Sequence, residues 1–330
     1  MSVLVTGGAG YIGSHTVKRM LEKGISVVVL DSLVTGHREA IPKGVPFYQG
    51  DIGDEGMVST IFTEHTIDAV IHFAARSQVG ESIEDPSLYF MENTAKTIRF
   101  LSMVTRHGVD KLVFSSTAAV YGMPTQVPIP ETAPCQPINP YGVSKRFIEE
   151  MLPWLEQAYG LRSMTLRYFN AVGASWEGEI GEDHSPETHL VPRVLKSVLG
   201  QSDPIHLFGT DYDTPDGTCI RDYVHVMDVA EAHVKALEKL SRGAESQVLN
   251  IGTGKGYSVR EVITAVEEVT NRWVPVVNAP ARVGDPGRLV AGIEKTKQAI
   301  GWEAQYRDLA SMIRTAWTWH QKNPSGYQSG

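Results

Sequence analysis

The segment NPYGVSK, residues 139–145, sets a phenol and an ammonium four positions apart, Tyr141 and Lys145, directly behind a proline. On a helix that spacing puts both side chains on one face. A tyrosine so placed can serve as general base and acid, provided that a proton which leaves a free phenol near pH 10 is made available near neutrality. The gap is about three pKa units, or roughly 4 kcal/mol. A lysine ammonium about 6 Å away would supply roughly 3 kcal/mol at an effective dielectric of 20, and the positive end of the helix adds to that. Burial opposes both, because desolvation favours the neutral phenol. Upstream, KLVFSS runs into TAAVYG, and Thr117 stands where a strand should end. Its hydroxyl can share a proton with the phenol if strand and helix converge.

A second group of residues suits a dinucleotide. VLVTGGAGYIGSH carries Gly8, Gly10 and Gly13 in the spacing G-x-G-x-x-G, and Gly7, Gly10 and Gly13 in the looser G-x-x-G-x-x-G form. Both forms follow a strand-like run and open a helix-like one, the context this motif requires. Without Cβ atoms the backbone can turn tightly and approach a pyrophosphate at the positive end of the helix. Asp31, in VVVLDSL, lies 18 residues beyond Gly13 at the end of the next strand. A carboxylate there accepts from both ribose hydroxyls and repels a 2′-phosphate, which favours NAD over NADP. Asp51 and Ile52 follow the third strand, on the side where adenine should lie.

The elements that must position these residues alternate from the first residue onward. Strand-like runs fall at 3–6, 25–30, 45–50, 69–74, 111–116 and 164–169, separated by helical patterns. One such helix repeats Val17, Met20 and Leu21 and stops at Gly24; another repeats Ile98, Leu101 and Val104 and stops at Gly108. This order predicts an α/β fold, a Rossmann-type doubly wound parallel sheet with helices on both faces. Residues 1–169 are expected to form the NAD-binding domain. Beyond residue 170 the pattern gives way to polar, glycine- and proline-rich stretches, expected to form a smaller C-terminal α/β substrate domain over 170–330, with elements around 219–251 returning to the main sheet.

Composition excludes several classes. The chain has 330 residues, 42% apolar and 21% charged, and a formal net charge of −8 with no Lys/Arg run, so a nucleic-acid partner is not expected. Two cysteines, Cys135 and Cys219, are too few for a disulfide framework. The N-terminus lacks the features of a signal peptide, and no apolar run approaches about 18 residues, so a cytoplasmic protein without a membrane partner is expected. Spacing among His184, His206, His225 and His233 does not form a metal site, and no metal is expected.

The motifs VTGGAGYIGSH, VIHFAA, FSSTAAVYG, NPYGVSK, LRYFNAVGA, GTCIRDYVHVMD and GDPGRLVA together resemble the UDP-glucose 4-epimerase family of extended short-chain dehydrogenase/reductases over essentially the whole chain. IGEDHSPETHL and FGTDYDTPDGTCIRDYVHVMD are the stretches most particular to that branch. The resemblance implies an NAD-dependent isomerase acting on UDP-hexoses. Tyr141 takes the proton of the C4 hydroxyl while the C4 hydride passes to the dinucleotide, and the resulting 4-keto sugar turns over and is reduced on its other face. Thr117 and Lys145 complete the catalytic set.

By the same resemblance NAD is held by Gly7, Gly10, Tyr11, Ile12 and Gly13, by Asp31, Ser32, Leu33, Thr35 and Gly36, and by Asp51 and Ile52. Further contacts come from Phe73, Ala74, Ala75, Ser77, Asn93 and Phe169, with Thr117, Tyr141 and Lys145. The substrate meets Thr117 and Tyr141, with Asn170, His189 and Leu190 at the sugar diphosphate, Phe208 at the uracil face, and Arg221, Arg282 and Asp285 at the diphosphate and ribose. A simple Arg221–Asp222 ion pair is the plainer reading of that arginine. Leu289 stands where restrictive relatives carry tyrosine, which implies room for 2-acetamido sugars. A homodimer is implied, through the helix at 94–107 and the one following Tyr141.

Three departures from the family pattern stand out. Ser77, beside Arg76, replaces a lysine expected near the pyrophosphate. ENTAKT places Lys96 where glycine is usual. Pro153 should kink or break the catalytic helix after about Glu149. Two rival readings are a 4,6-dehydratase and a non-catalytic NAD-binding regulator. The first would carry an Asp-Glu pair where this chain has Ala118-Ala119; the second tends to lose the tyrosine or the lysine, both present here.

Overall fold

Continuous apolar runs become the strands of one sheet because both of its faces are covered. The structure, a computed structural model, describes residues 1–282 and 284–328. Strands β1 (Ser2–Thr6), β2 (Ser26–Asp31), β3 (Phe47–Gln49), β4 (Ala69–His72), β5 (Lys111–Thr117) and β6 (Arg162–Tyr168) pair in parallel in the order β3-β2-β1-β4-β5-β6. The order reverses direction between β1 and β4, and the crevice opened there at the carboxyl ends of the strands is where such sheets take ligands.

Helices α1 (Tyr11–Glu22), α2 (Glu55–Glu64), α3 (Val79–Glu84), α4 (Pro86–Tyr89), α5 (Lys96–Arg106) and α6 (Pro140–Tyr159) connect these strands. Side-chain alternation sorts the two faces. Val3 and Val5 of β1 pack with Val17 and Met20 of α1, while Leu4 packs with Ile61 of α2, Phe100 and Leu101 of α5 and Ile148 of α6. Between α4 and α5 the chain makes one π-helical turn, Phe90–Ala95, a wide turn frequent at functional sites.

The remaining chain builds a second, smaller core. It contains β7 (Asn170–Val172), α7 (Leu190–Val198), β8 (Ile205–Phe208), β9 (Ile220–His225), α8 (Val226–Ser241), β10 (Gln247–Ile251), β11 (Gly256–Ser258), α9 (Val259–Thr270), β12 (Val276–Ala279), β13 (Arg288–Leu289), α10 (Glu294–Ile300) and α11 (Leu309–Lys322). Helices α7, α9 and α11 pack over β7 and β9, with Val194, Leu195, Tyr223, Val266 and Ile313 at the centre. Two elements rejoin the large sheet: β10 pairs in parallel with β6 as a seventh strand, and α8 lies against α1 and beneath β5 and β6.

Candidate active site

The candidate catalytic corner is made by the end of β5 and the start of α6. Thr117 ends β5, and its hydroxyl oxygen accepts from the Ala119 N–H at 3.1 Å, which leaves the hydroxyl proton to be donated elsewhere. The Tyr141 phenol lies near enough for the Thr117 hydroxyl to pull its pKa down against burial. Helix α6 begins there because Asn139 caps it, its Oδ1 accepting from the Gly142 N–H at 2.8 Å, with Pro140 at the first position where no N–H is needed. Gly142 sets the approach: a Cβ on it would stand 2.7 Å from the Ala119 carbonyl oxygen, so only glycine lets the helix come this close to the β5 turn.

One turn further, Lys145 is buried and its ammonium donates to the Ser115 carbonyl oxygen at 2.8 Å. Next turn on, Glu149 holds the helix to the sheet. Its carboxylate accepts from Ser116 Oγ at 2.6 Å and from Arg167 Nε at 2.9 Å, both partners buried. Arg167 falls within LRYFNAVGA, where the resemblance implies no role for it, and Glu149 lies in no motif; its only clue in the sequence is the i, i+4, i+8 series Tyr141, Lys145, Glu149 on one helical stripe.

Burial dominates the electrostatics of the pair. It pushes the Tyr141 phenol well above its ordinary value, aided by Tyr168, while the Thr117 hydroxyl pulls the other way. It also pushes Lys145 down, to about 7, against the attraction of Glu149. The expected lowering of the phenol by a permanently charged lysine is therefore not met in the protein alone. For each group desolvation outweighs what its partner returns, Thr117 for the phenol and Glu149 for the amine. The helix expected to break at Pro153 is instead continuous to Tyr159. Pro153 is exposed, so water can replace the single ladder bond it removes.

The glycine loop has the shape a dinucleotide needs. Gly7 lies in the left-handed region, φ 71°, and a Cβ there would press on the Ala74 N–H at 2.5 Å. A Cβ on Gly13 would collide with the Gly7 carbonyl oxygen, but one on Gly10 would meet nothing nearer than 3.4 Å, so the Gly10 side of the loop is open. Helix α1 has no side-chain cap, and its first N–H groups, from Tyr11 and Ile12 onward, face that opening uncompensated. The Tyr11 ring points elsewhere, its hydroxyl donating to the Gly173 carbonyl at 2.6 Å. These features fit a bound pyrophosphate.

Around the loop, Asp31 accepts from the Ala9 N–H and the Leu33 N–H, both at 2.8 Å. Leu33 has φ 59°, a strained value for a branched residue, which turns the exposed Ser32 and Thr35 and the close-packed Gly36 back over the loop. Phe73 and Ala74 both donate to the Thr6 carbonyl, at 2.9 and 3.1 Å, and continue β4 into the crevice with Ala75. Asn93 is buried in the π-helical turn. Its carboxamide grips the Arg76 backbone in both directions, at 2.8 and 2.9 Å, so it positions the Phe73–Ser77 segment. Ser77 is exposed, and the Arg76 guanidinium is paired with Glu81 at 3.1 Å. Ile52 is buried, whereas Asp51 is joined to Lys96 at 2.6 Å. The residue that replaces glycine in ENTAKT thus neutralises the carboxylate expected beside adenine.

On the substrate side, Arg221 is paired with Asp285 and not with Asp222. Consecutive residues of β9 face opposite ways, and Asp222 is buried behind the strand, accepting from the Thr253, Gly254 and Ala291 N–H groups. The Arg282 guanidinium lies 4.1 Å from the centre of the Phe208 ring. Leu289 sits opposite Arg221 across β13 and β9 and packs with Ala118 and Phe169, next to Thr117. Asn170 is exposed at the start of β7. Leu190 begins α7, whose N-cap, His189, makes no side-chain cap bond; the His189 ring is held by Glu182 and Glu187. Those two glutamates also enclose His184, a four-residue cluster that histidine spacing alone does not reveal because half of its members are carboxylates.

The comparisons with known proteins follow this geometry. Residues 3–252 match the family described as NAD dependent epimerase/dehydratase. A UDP-glucose 4-epimerase of Halalkalibacterium halodurans is 52% identical over 329 residues, covering 100% of this chain and 98% of that protein. A crystal structure of a UDP-glucose 4-epimerase is 50% identical, superposes with a TM-score of 0.97 and covers 100% of both chains. That of the Bifidobacterium longum UDP-glucose 4-epimerase in complex with NAD+ and UDP is 39% identical, with a TM-score of 0.94 and coverage of 99% and 100%. The chain, with its seven-stranded parallel sheet and its phenol at the carboxyl end of β5, belongs to the NAD-dependent epimerase/dehydratase family.

Proposed function

We propose that this protein interconverts UDP-glucose and UDP-galactose by inverting C4 through a transient 4-keto sugar. The observation that carries the reading is the buried Tyr141 phenol beside the Thr117 hydroxyl at the end of β5, with Lys145 buried one turn along and held to the Ser115 carbonyl. NAD, held by the glycine loop, Asp31 and the Phe73–Ser77 segment, supplies the acceptor and then the donor of the C4 hydride. Tyr141 removes the C4 hydroxyl proton and later returns it. Thr117, its oxygen already occupied by the Ala119 N–H, directs its own proton at the phenol oxygen or at sugar O4. Lys145 stabilises the anion whenever the phenol is deprotonated.

Inversion also requires the ketone to show its opposite face. Such a site should hold the nucleotide firmly and the hexose loosely. Arg221 with Asp285 and Arg282 over Phe208 offer charge and a stacking surface for the nucleotide, whereas Leu289, Phe169 and Ala118 offer the sugar an apolar wall with few hydrogen bonds. An uncommitted wall lets the ring rotate. Ala118 and Ala119 lack the acid that 4,6-elimination needs, and Tyr141 and Lys145 are both in place, against a sensor that binds NAD without chemistry.

The test is to mix purified protein with UDP-galactose and follow UDP-glucose. Wild type should reach equilibrium without added NAD, and the denatured protein should release about one dinucleotide per chain. Tyr141→Phe should lower kcat by roughly 10²–10⁴-fold; unchanged inversion in that variant would remove the proposal. Leu289 should admit a 2-acetamido group, so Leu289→Tyr should abolish turnover of UDP-N-acetylglucosamine while sparing UDP-galactose. A wild type inactive on the N-acetyl sugar would refute the second reading.

We place the protein in the cytoplasm: no helix among the described residues is long and apolar enough to cross a membrane, and both cysteines are free. A homodimer is supported by neighbouring apolar surfaces on α6, on α5 and on the π-helical turn before it, where Val143, Phe147 and Trp154, Ile98, and Met91 are exposed.

A further inference from the structure

Four side chains between residues 182 and 189 converge, and apart from the diphosphate contact implied for His189 the reaction gives them no role. One oxygen or ring nitrogen from each of Glu182, His184, Glu187 and His189 lies within 4.8 Å of the others. The His184 Nδ1 atom is 3.5 Å from Glu182 Oε1 and 3.6 Å from Glu187 Oε2, and the His189 Nδ1 atom is 3.8 Å from Glu187 Oε1. His189 Nδ1 also touches Glu182 Oε1. Ligands of a tetrahedral zinc ion, at about 2.0–2.1 Å from the metal, stand about 3.3 Å apart. Only small side-chain rotations separate the observed arrangement from that one.

A second observation points to a ligand. The Glu187 side chain is only 5% exposed; its Oε1 accepts from the His189 N–H at 2.9 Å, but its Oε2, 3.6 Å from His184 Nδ1, has no hydrogen-bond partner. Glu182 is buried beside it. Two buried carboxylates must be balanced by positive charge, either protons on both rings or a divalent cation between them. The surroundings are rigid enough to preform such a site. The Glu182 carbonyl accepts from Trp319 Nε1 of α11 at 3.2 Å, and Asp183 accepts from the Tyr327 N–H at 2.9 Å. His37, adjoining Gly36 of the NAD loop, contacts the Asp183 carbonyl at 3.0 Å.

We propose that Glu182, His184, Glu187 and His189 form a structural site for one divalent transition-metal ion, best suited to zinc, that closes the 182–189 loop onto the start of α7. Two imidazoles and two carboxylates suit tetrahedral zinc, whereas calcium and magnesium prefer oxygen donors alone. All four positions are filled by protein, so the ion is structural and takes no part in the proton transfers. Binding displaces any protons on the two Nδ1 atoms and leaves the site neutral.

The probe is zinc chloride, and separately cobalt chloride, added to untagged full-length protein that keeps its dinucleotide and has been dialysed against a chelator. About one zinc per chain should remain after free metal is removed, with a higher thermal midpoint, and cobalt should give the intense visible absorption of a four-coordinate site. The paired substitutions His184→Gln and Glu187→Gln should weaken zinc binding by at least ~100-fold while C4 inversion continues. Zinc X-ray absorption on the loaded wild type should show two imidazoles and no sulfur, a measurement independent of how the variant folds. Failure of the wild type to retain zinc, equal binding by a folded variant, or sulfur ligation would overturn the site. None of these readouts depends on the identity of the sugar substrate.

Discussion

Tyr141 and Lys145 are both driven toward their neutral forms by burial, and this has a measurable consequence in protein stripped of dinucleotide. The folded Lys145 titrates near 7, below its ordinary 10.5. Between those values the unfolded chain carries the extra proton, so folding stability rises with pH across the window. The contribution is complete above 10.5 and is lost as pH falls through about 7. Urea unfolding of wild type should therefore gain stability from pH 7 to pH 9.5 relative to Lys145→Met, by about 2–3 kcal/mol. Parallel pH slopes for the two proteins would show that the amine keeps its charge inside the fold. In the proposed reaction the low value means that a nearby anion is needed to keep the ammonium protonated, a part the ionised phenol would play.

At the scale of elements, the site depends on how near α6 begins to the end of β5. Asn139 starts the helix, Gly142 permits contact with the Ala119 carbonyl, and the Glu149–Arg167–Ser116 network anchors it two turns later. Gly142→Ala adds a methyl with nowhere to go and should cost about 1–3 kcal/mol in overpacking, together with at least ~10-fold in kcat. Gly80, in α3, has open space around it, and Gly80→Ala should leave both unchanged. Equal behaviour of the two alanine variants in thermal melts and turnover would show that the helix start has slack. Pro153 illustrates the opposite tolerance. Propensity predicts a break there, yet packing of Ile148 and Leu152 on the sheet keeps the helix whole.

For the whole molecule, the exposed faces of α5 and α6 are where the proposed homodimer would form. Trp154 is 69% exposed and Phe147 50%, large apolar groups for a free surface. Joined across a twofold axis, two such helix pairs would bury them in a four-helix contact and place each protomer's catalytic helix in the interface. Sedimentation should show a dimer. Phe147→Glu combined with Trp154→Glu should yield a monomer that still binds NAD, since neither residue reaches the glycine loop. A dimer that survives both substitutions would assign the interface to another face.

The local code was legible wherever a function needs particular residue types close together in the chain. Alternating strands and helices, the Gly7–Gly13 loop with Asp31, and the Tyr141–Lys145 pair all declare themselves within a few turns of chain, because backbone approach, helix-end charge and i, i+4 geometry are local properties. Tertiary structure alone decided which side chains meet across the fold. Arg221 joins Asp285 64 positions away, Asn93 spends its amide on Arg76, and Lys96 neutralises Asp51. It also decided the sign of the balance at Tyr141 and Lys145, because desolvation is set by the atoms packed around a group and not by its neighbours in sequence.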